Sequence, residues 1–268
     1  MSSSAKLSVM MAAFNEERTV EIIMTHVLAR AEVGELIVVD DGSTDRTWEI
    51  VNRIAASDTR VRAFRQPVNM GKGAALRRAV PELQFPFAVV QDADLEYDPR
   101  DYASLLEPLE EGRADAVFGV RGFAGQTAFS FWFVQGNKAV TFATNVLFDC
   151  YISDMETGYK MLRSELWRSL NLTGRRFDIE PDITARVLRL GYRIHEVPIR
   201  YYARSREEGK KLTWMDGARA FGTLVRIRLT PYRSLFGRSA DGQYHRKRQR
   251  ELARRHPLIA DVSNGSES

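Results

Sequence analysis

Residues Gln91-Asp92-Ala93-Asp94-Leu95-Glu96 set two carboxylates one residue apart, directly after the apolar run Phe87-Ala88-Val89-Val90. A buried strand ending in Asp-x-Asp presents hard oxygen ligands at a sheet edge, and a divalent cation bound there can in turn hold a diphosphate. Like charges at that spacing repel unless something compensates them. A surface turn tolerates such a pair. With Mg²⁺ or Mn²⁺ bound, the repulsion becomes ligation, and Glu96 stands two residues on as a further ligand, direct or through water.

Other clusters of polar residues read in two ways each. Asp40-Asp41-Gly42-Ser43-Thr44-Asp45 is either a strand-to-helix turn with its cap, or a rigid strand end whose carboxylate accepts from a nucleobase N–H or a ribose hydroxyl. Asn69-Met70-Gly71-Lys72-Gly73 lacks the Gly-x-x-x-x-Gly-Lys-Ser/Thr pattern, which excludes a P-loop. Its glycines still permit a tight turn into a helix, and Lys72 can reach an anion near the amino end of that helix. Asp154 and Glu156 form an acidic pair in a loop, and Asp178-Ile179-Glu180-Pro181-Asp182 puts acids at a helix start. The second group pairs with the helix dipole, and either group could bind sugar hydroxyls. Arg204-Ser205-Arg206-Glu207-Glu208-Gly209-Lys210-Lys211 is a solvated charged loop or a cationic lid that clamps phosphates, with Arg121 joining it. No His/Cys set has zinc spacing, and Cys150 has no nucleophile context.

The elements that must position these residues alternate through the first half of the chain. Apolar runs predict strands over 7–12, 35–39, 61–65, 87–91 and 114–119, and helical spacing predicts helices over 19–29, 46–55, 71–80 and from Asp98-Pro99 to about 109. Asp45 is the expected cap of the second helix, and Pro99 suits a first helical turn. Such repeated strand-helix units imply a mostly parallel sheet covered on both faces, with ligands at the carboxyl ends of its strands. Asn15-Glu16, Asp40-Asp41, Asn69 and Asp92-Asp94 all fall just after strands, which gathers them on one rim. The second half is less regular. Helices are expected over 129–148, 178–190 and, amphipathic, 214–229; a strand over 158–162; and an edge strand, marked by Pro198, over 192–202.

Composition bounds the class. The chain has 268 residues, 44% hydrophobic and 28% charged, enough for one α/β domain with appendages. The single cysteine excludes an internal disulfide and suits a reducing compartment. No apolar signal region follows residues 1–6, and no stretch reaches the ~18 continuous apolar residues of a spanning helix. The expected location is cytoplasmic, or peripheral on the cytoplasmic face of a membrane. Net charge is +4, crowded toward the end in Arg233, Arg238, His245, Arg246, Lys247, Arg248, Arg250, Arg254 and Arg255. That tail is either solvated or in contact with anionic lipid. No aromatic-basic interleaving accompanies it, so nucleic acid is not an expected partner.

In order and number, these motifs resemble those of family 2 glycosyltransferases of the GT-A fold, especially the dolichol-phosphate or polyprenol-phosphate mannosyltransferase branch. The pieces are Ala13-Phe14-Asn15-Glu16-Glu17, Val38 to Asp45, Asn69 to Ala75, Gln91 to Leu95, Thr157-Gly158-Tyr159-Lys160, and Glu196-Val197-Pro198-Ile199 followed by Arg204 and Gly209-Lys210-Lys211. The resemblance implies a catalytic GT-A (Rossmann-like) α/β domain over 1–211, an amphipathic helical extension over 212–238 and a basic, flexible tail over 239–268. It implies metal-dependent, inverting transfer of mannose or glucose from GDP-mannose or UDP-glucose to a polyprenyl phosphate. A soluble hydroxyl acceptor, with Asp178 or Glu180 as base, and a non-catalytic nucleotide-sugar-binding protein stay open as alternatives.

Carried over by the resemblance, Ala13, Phe14, Asn15, Glu16 and Asp41 contact the nucleotide, and Lys72 and Asp92 lie near the donor. Asp92, Asp94 and Glu96 hold Mg²⁺ or Mn²⁺, and Asp154 faces the sugar. Arg121 and Arg204 hold the acceptor phosphate, with Lys210 or Lys211 nearby, so that Asp92, Asp94, Arg121 and Arg204 form the catalytic set. Phe14 and Ala13 replace a frequent tyrosine and proline, a change that bears on base selectivity. Glu207-Glu208-Gly209-Lys210-Lys211 departs from the common Gly-x-Ser-Lys form.

Overall fold

The computed structural model describes residues 5–122, 131–203 and 214–235. Seven strands form one sheet in the order β3-β2-β1-β4-β6-β5-β7. They are β1 (Leu7–Ala13), β2 (Val33–Asp40), β3 (Val61–Arg65), β4 (Phe87–Asp92), β5 (Ala116–Arg121), β6 (Lys160–Arg163) and β7 (Ile194–Ile199). All pairings are parallel except those of β6, which runs antiparallel between β4 and β5. The expected mostly parallel α/β sheet is therefore present, and β7, which carries Pro198, lies on its edge.

The central strands are buried on both faces, so they read as nearly unbroken apolar runs. Alternation along β1 sends Met10 to one core and Val9 and Met11 to the other. The first core also takes side chains from α3 (Lys72–Ala79), α6 (Ser164–Ser169), α7 (Ile179–Arg189) and α8 (Trp214–Leu229). The second takes them from α1 (Val20–Leu28), α2 (Thr47–Ser57) and α4 (Tyr102–Glu110). Helix α5 (Phe131–Phe148) packs beside α8, whose Leu224 and Ile227 are buried.

Register places the chemistry. Ala13 pairs with Asp40, and Ala12 with Asp92, so the ends of β1, β2 and β4 meet on one rim. Three local differences from the expected elements have physical causes. Asp98 accepts from the Arg100 N–H at 2.9 Å, so a single 3-10 turn over Pro99–Asp101 precedes α4. Strand β6 begins at Lys160, whose amide turns back to the Gly158 carbonyl at 2.9 Å, and Gly158 packs closely on Asp92. The short α6 was not expected; its Leu166-Trp167 pair is fully buried, with the indole donating to the Ala88 carbonyl at 2.9 Å. Among the described residues no helix is long and apolar enough to cross a membrane.

Candidate active site at the carboxyl rim of the sheet

The loops after β1 and β2 are laced together. Asn15 adopts a left-handed φ of 55°, its amide donates to Ser43 Oγ at 3.0 Å, and its Oδ1 accepts from the Thr44 N–H at 2.9 Å. The Glu16 amide donates to Thr47 Oγ1, and the Glu16 carboxylate accepts from the Thr19 hydroxyl at 2.7 Å. Ala13 is buried; Phe14 is exposed. Asp45 accepts from the Thr47 N–H at 2.9 Å just before α2, but the N-cap is Arg46, one residue later than expected, because the helix begins at Thr47.

Asp41 is buried and organises the next loop. It accepts from Gln66 Nε2 at 2.6 Å and from the Met70 and Gly71 amides at 2.8 and 2.7 Å. Burial raises its carboxyl above the ordinary range, although these amides pull the other way. Gly71 is required at the bend: φ is 95°, and a Cβ there would stand 2.3 Å from the Arg175 carbonyl oxygen.

That bend aims Lys72 into the rim. Its Nζ lies 2.6 Å from Asp92 Oδ1 and 2.9 Å from Glu180 Oε1. Glu180 in turn takes Lys160 Nζ at 2.8 Å, and Lys160 also donates to the Met155 and Thr157 carbonyls. Burial opposes charge on Lys72, yet Asp92 and Glu180 keep its pKa above the usual lysine value. Burial likewise opposes the Glu180 anion, but Lys160 and Lys72 hold it below the ordinary range. A chain Asp92–Lys72–Glu180–Lys160 thus ties β4, α3, α7 and β6 together.

A second buried pair closes the other side. Arg121, at the end of β5, grips Asp154 through Nε at 2.7 Å and Nη2 at 2.8 Å, and Asn137 of α5 donates to the same carboxylate at 3.1 Å. Burial would raise Asp154, but the guanidinium beside it holds it below the ordinary carboxylate range. Glu196 of β7 anchors this loop by accepting from the Ser153 amide and hydroxyl at 2.7 and 2.8 Å.

Beyond β4, Asp94 Oδ1 accepts from the Glu96 amide at 3.0 Å, and Glu96 Oε2 accepts from the Tyr201 hydroxyl at 2.7 Å. Tyr97 stacks on Tyr159 at 4.6 Å and meets Tyr201 edge-on at 5.0 Å, and its hydroxyl accepts from the Gly158 amide at 2.7 Å. Tyr102 and Tyr159 both donate to Gln91 Oε1 at 2.6 Å, fixing the strand that delivers Asp92. The three carboxylates of 92–96 are an all-oxygen donor set, which fits a hard divalent cation. Among the described residues no three acidic, His or Cys side chains are already gathered as a ligand cluster. Lys72 is the cation on Asp92, and Tyr201 the donor on Glu96.

The rim therefore brings together Ala13, Phe14, Asn15, Glu16, Asp41, Lys72, Asp92, Asp94, Glu96, Arg121 and Asp154. Arg204, Lys210 and Lys211, with the expected cationic lid and basic tail, lie outside the described residues. Lys160, Asn137, Gln91 and Glu196 were not singled out from the sequence as site residues. Gln91, Lys160 and Glu196 stood inside quoted motifs, which was the available signal; Asn137 carried none.

A doubly covered, mostly parallel sheet with an acidic Asp-x-Asp rim is the frame of a GT-A glycosyltransferase. The family model described as "Glycosyl transferase family 2" matches residues 8–170, and the chain belongs to that family. Its relatives include glycosyltransferase AglD of Haloferax volcanii, 28% identical over 74% of this chain and 33% of that protein. The chain thus spans about a third of AglD. Polyprenol monophosphomannose synthase of Mycolicibacterium smegmatis is 28% identical over 73% of this chain and 77% of its own. Undecaprenyl-phosphate mannosyltransferase of Micrococcus luteus is 27% identical over 74% and 84%. Among solved structures, glucosyl-3-phosphoglycerate synthase from Mycobacterium tuberculosis with phosphoglyceric acid superposes with a TM-score of 0.65 at 24% identity, covering 85% of this chain and 81% of that one. Its complex with Mn²⁺, UDP-glucose and glycerol 3-phosphate gives 0.63 at 25% identity over 85% and 81%.

Proposed function

We propose that this chain transfers mannose or glucose, with inversion, from GDP-mannose or UDP-glucose to a polyprenyl phosphate. The observation that carries the lipid acceptor is the exposed apolar face of α5. Its inner face buries Asn137, Thr141 and Thr144, and the first two bond the loop of Asp154 and Met155. Its outer face exposes Phe131, Trp132, Phe142 and Val146, with Trp132 78% accessible. Val140, Leu147 and Phe148 pack on the core, so the outward aromatics are a further apolar face, which suits an apolar partner beyond the fold. A polyprenyl tail, or the membrane surface that holds it, is such a partner. The names of the mycobacterial and micrococcal relatives support the same acceptor class.

The chemistry supports an acceptor that is already anionic. Glu180, one base considered for a hydroxyl acceptor, is held by two lysines and is weakly basic. Asp178, the other, accepts from the Arg175 and Arg176 amides at the head of α7. A phosphate needs no strong base, so positioning carries much of the step. In this reading Ala13, Phe14, Asn15, Glu16 and Asp41 frame the nucleoside, and Asp154 stands toward the sugar. Asp92, Asp94 and Glu96 would hold Mg²⁺ or Mn²⁺, which neutralises charge on the leaving diphosphate. Lys72 adds a fixed positive charge beside that diphosphate. Arg121 and Arg204, with Lys210 or Lys211, orient the acceptor phosphate. The complex of glucosyl-3-phosphoglycerate synthase with Mn²⁺ and UDP-glucose supports the donor side.

The test is incubation with Mn²⁺, a panel of labelled nucleotide sugars and a short polyprenyl phosphate, followed by mass analysis. The expected product is a hexosyl phosphopolyprenol. Transfer to neutral alcohols or glycans, with none to the lipid phosphate, would replace this acceptor.

A further inference from the structure

One acidic side chain in this site has no role in the proposal so far. Glu156 lies in the loop between α5 and β6, two residues from Asp154 and two from Gly158. Gly158 packs so closely on β4 that a Cβ there would stand 2.9 Å from Asp92 Oδ2. Glu156 is half-buried, and among the described residues its Oε1 is enclosed with no hydrogen-bond partner. The neighbouring Thr157 Oγ1, and Oδ1 of Asn137, are also enclosed and unpartnered. A buried oxygen left without a partner is costly, so a ligand that satisfies it recovers that cost.

The surrounding charges decide what kind of ligand this can be. Lys72, Lys160 and Arg121 are already matched by Asp92, Glu180 and Asp154. A further carboxylate would be an uncompensated buried charge. Burial pushes the Glu156 carboxyl up to about 7; Lys160 of β6 and Arg121 of β5 pull it down, while Glu180 of α7 and Asp154 of its own loop push it up. An acid in that state offers one O–H donor and an acceptor oxygen, and so binds a sugar hydroxyl without adding charge to the site.

We propose that Glu156 binds a ring hydroxyl of the transferred sugar through its neutral carboxyl and so helps select the sugar. This rests on the nucleotide-sugar reading above. Glu156 is a specificity residue here.

Calorimetric binding of UDP against UDP-glucose, and of GDP against GDP-mannose, each with Mn²⁺, tests this from about pH 6 to about pH 8.5, either side of the carboxyl's titration. The readout is the affinity gained from the sugar. In the wild type this gain should shrink roughly three- to tenfold as pH rises, the worth of one hydrogen bond. Glu156→Gln should keep the gain and lose its pH dependence; Glu156→Ala should lose the gain throughout. A pH-independent gain in the wild type, a gain that grows with pH, or full retention in Glu156→Ala would overturn the assignment. The pH dependence is read as the difference between the wild type and Glu156→Gln, which cancels the ionisation of the bare diphosphate's terminal phosphate. If the bare nucleoside diphosphates bind and only the sugar increment ignores Glu156, this inference alone fails. If neither diphosphate nor sugar nucleotide binds, the donor reading falls with it.

Discussion

Lys72 and Asp92 carry the argument at the scale of single residues. Lys72 Nζ, at 2.6 Å from Asp92, serves the carboxylate as a built-in counter-ion. Lys72→Met should therefore leave Asp92 without its counter-ion, Glu180 keeping only Lys160, and weaken nucleoside diphosphate binding by roughly tenfold or more, the worth of one charge-assisted contact. Fluorescence titration with GDP and UDP checks this; unchanged affinity would remove Lys72 from the donor site. Glu156 makes a separate stability prediction. Its folded-state pKa lies above the free value of 4.5, so the folded form prefers the neutral acid. Stability tied to this residue is complete below about pH 4.5 and is lost as pH rises through about 7. Glu156→Gln should thus raise the melting temperature at pH well above 7 and change it little near pH 4.5. Equal shifts at both ends would show that the buried charge is compensated.

At the scale of elements, the pair between β5 and the 153–158 loop should behave as a unit. Asp154→Asn leaves the Arg121 guanidinium buried at 5% exposure without its counter-charge, and removing one partner of such a pair costs about 3–5 kcal/mol. Urea unfolding should show a loss of that size, with much less added by Arg121→Met in the same chain; additive losses would contradict the pairing. Gly158→Ala pushes a methyl against Asp92 and Tyr97 and should lower transfer more than it lowers stability. The elements themselves were mostly legible in the sequence. Apolar runs at β1, β2 and β4 are long because these strands are covered on both faces, and turn residues marked their ends. The short α6 and the late start of β6 were not legible, because a two-residue apolar pair and a glycine held by a distant strand leave no periodic signal. At the rim, residue types and spacing showed the Asp-x-Asp pair. They could not show that Glu180 reaches Lys72, which depends on α7 approaching α3 across more than a hundred residues of chain.

At the scale of the whole molecule, α5 and α8 turn aromatic and aliphatic side chains outward, with Phe142 at 70%, Phe221 at 51% and Leu229 at 78% exposure. In the proposed reading this apolar surface meets the lipid that carries the acceptor. Flotation with vesicles containing anionic lipid should recover the wild type, and a Trp132→Ser, Phe142→Ser double variant should float less while binding nucleoside diphosphate normally. Equal flotation of both would separate this face from the membrane. The claim beneath everything else is that the carboxylates after β4 join a divalent cation to the donor diphosphate. Calorimetric titration of GDP and UDP with and without Mn²⁺, in the wild type and in Asp94→Ala, tests it most directly. Mn²⁺ should tighten nucleotide binding about tenfold or more in the wild type and have no such effect in the variant, the scale expected when a metal ligand is lost. Nucleotide binding that ignores Mn²⁺, or an Asp94→Ala chain that responds to it like the wild type, would contradict the account.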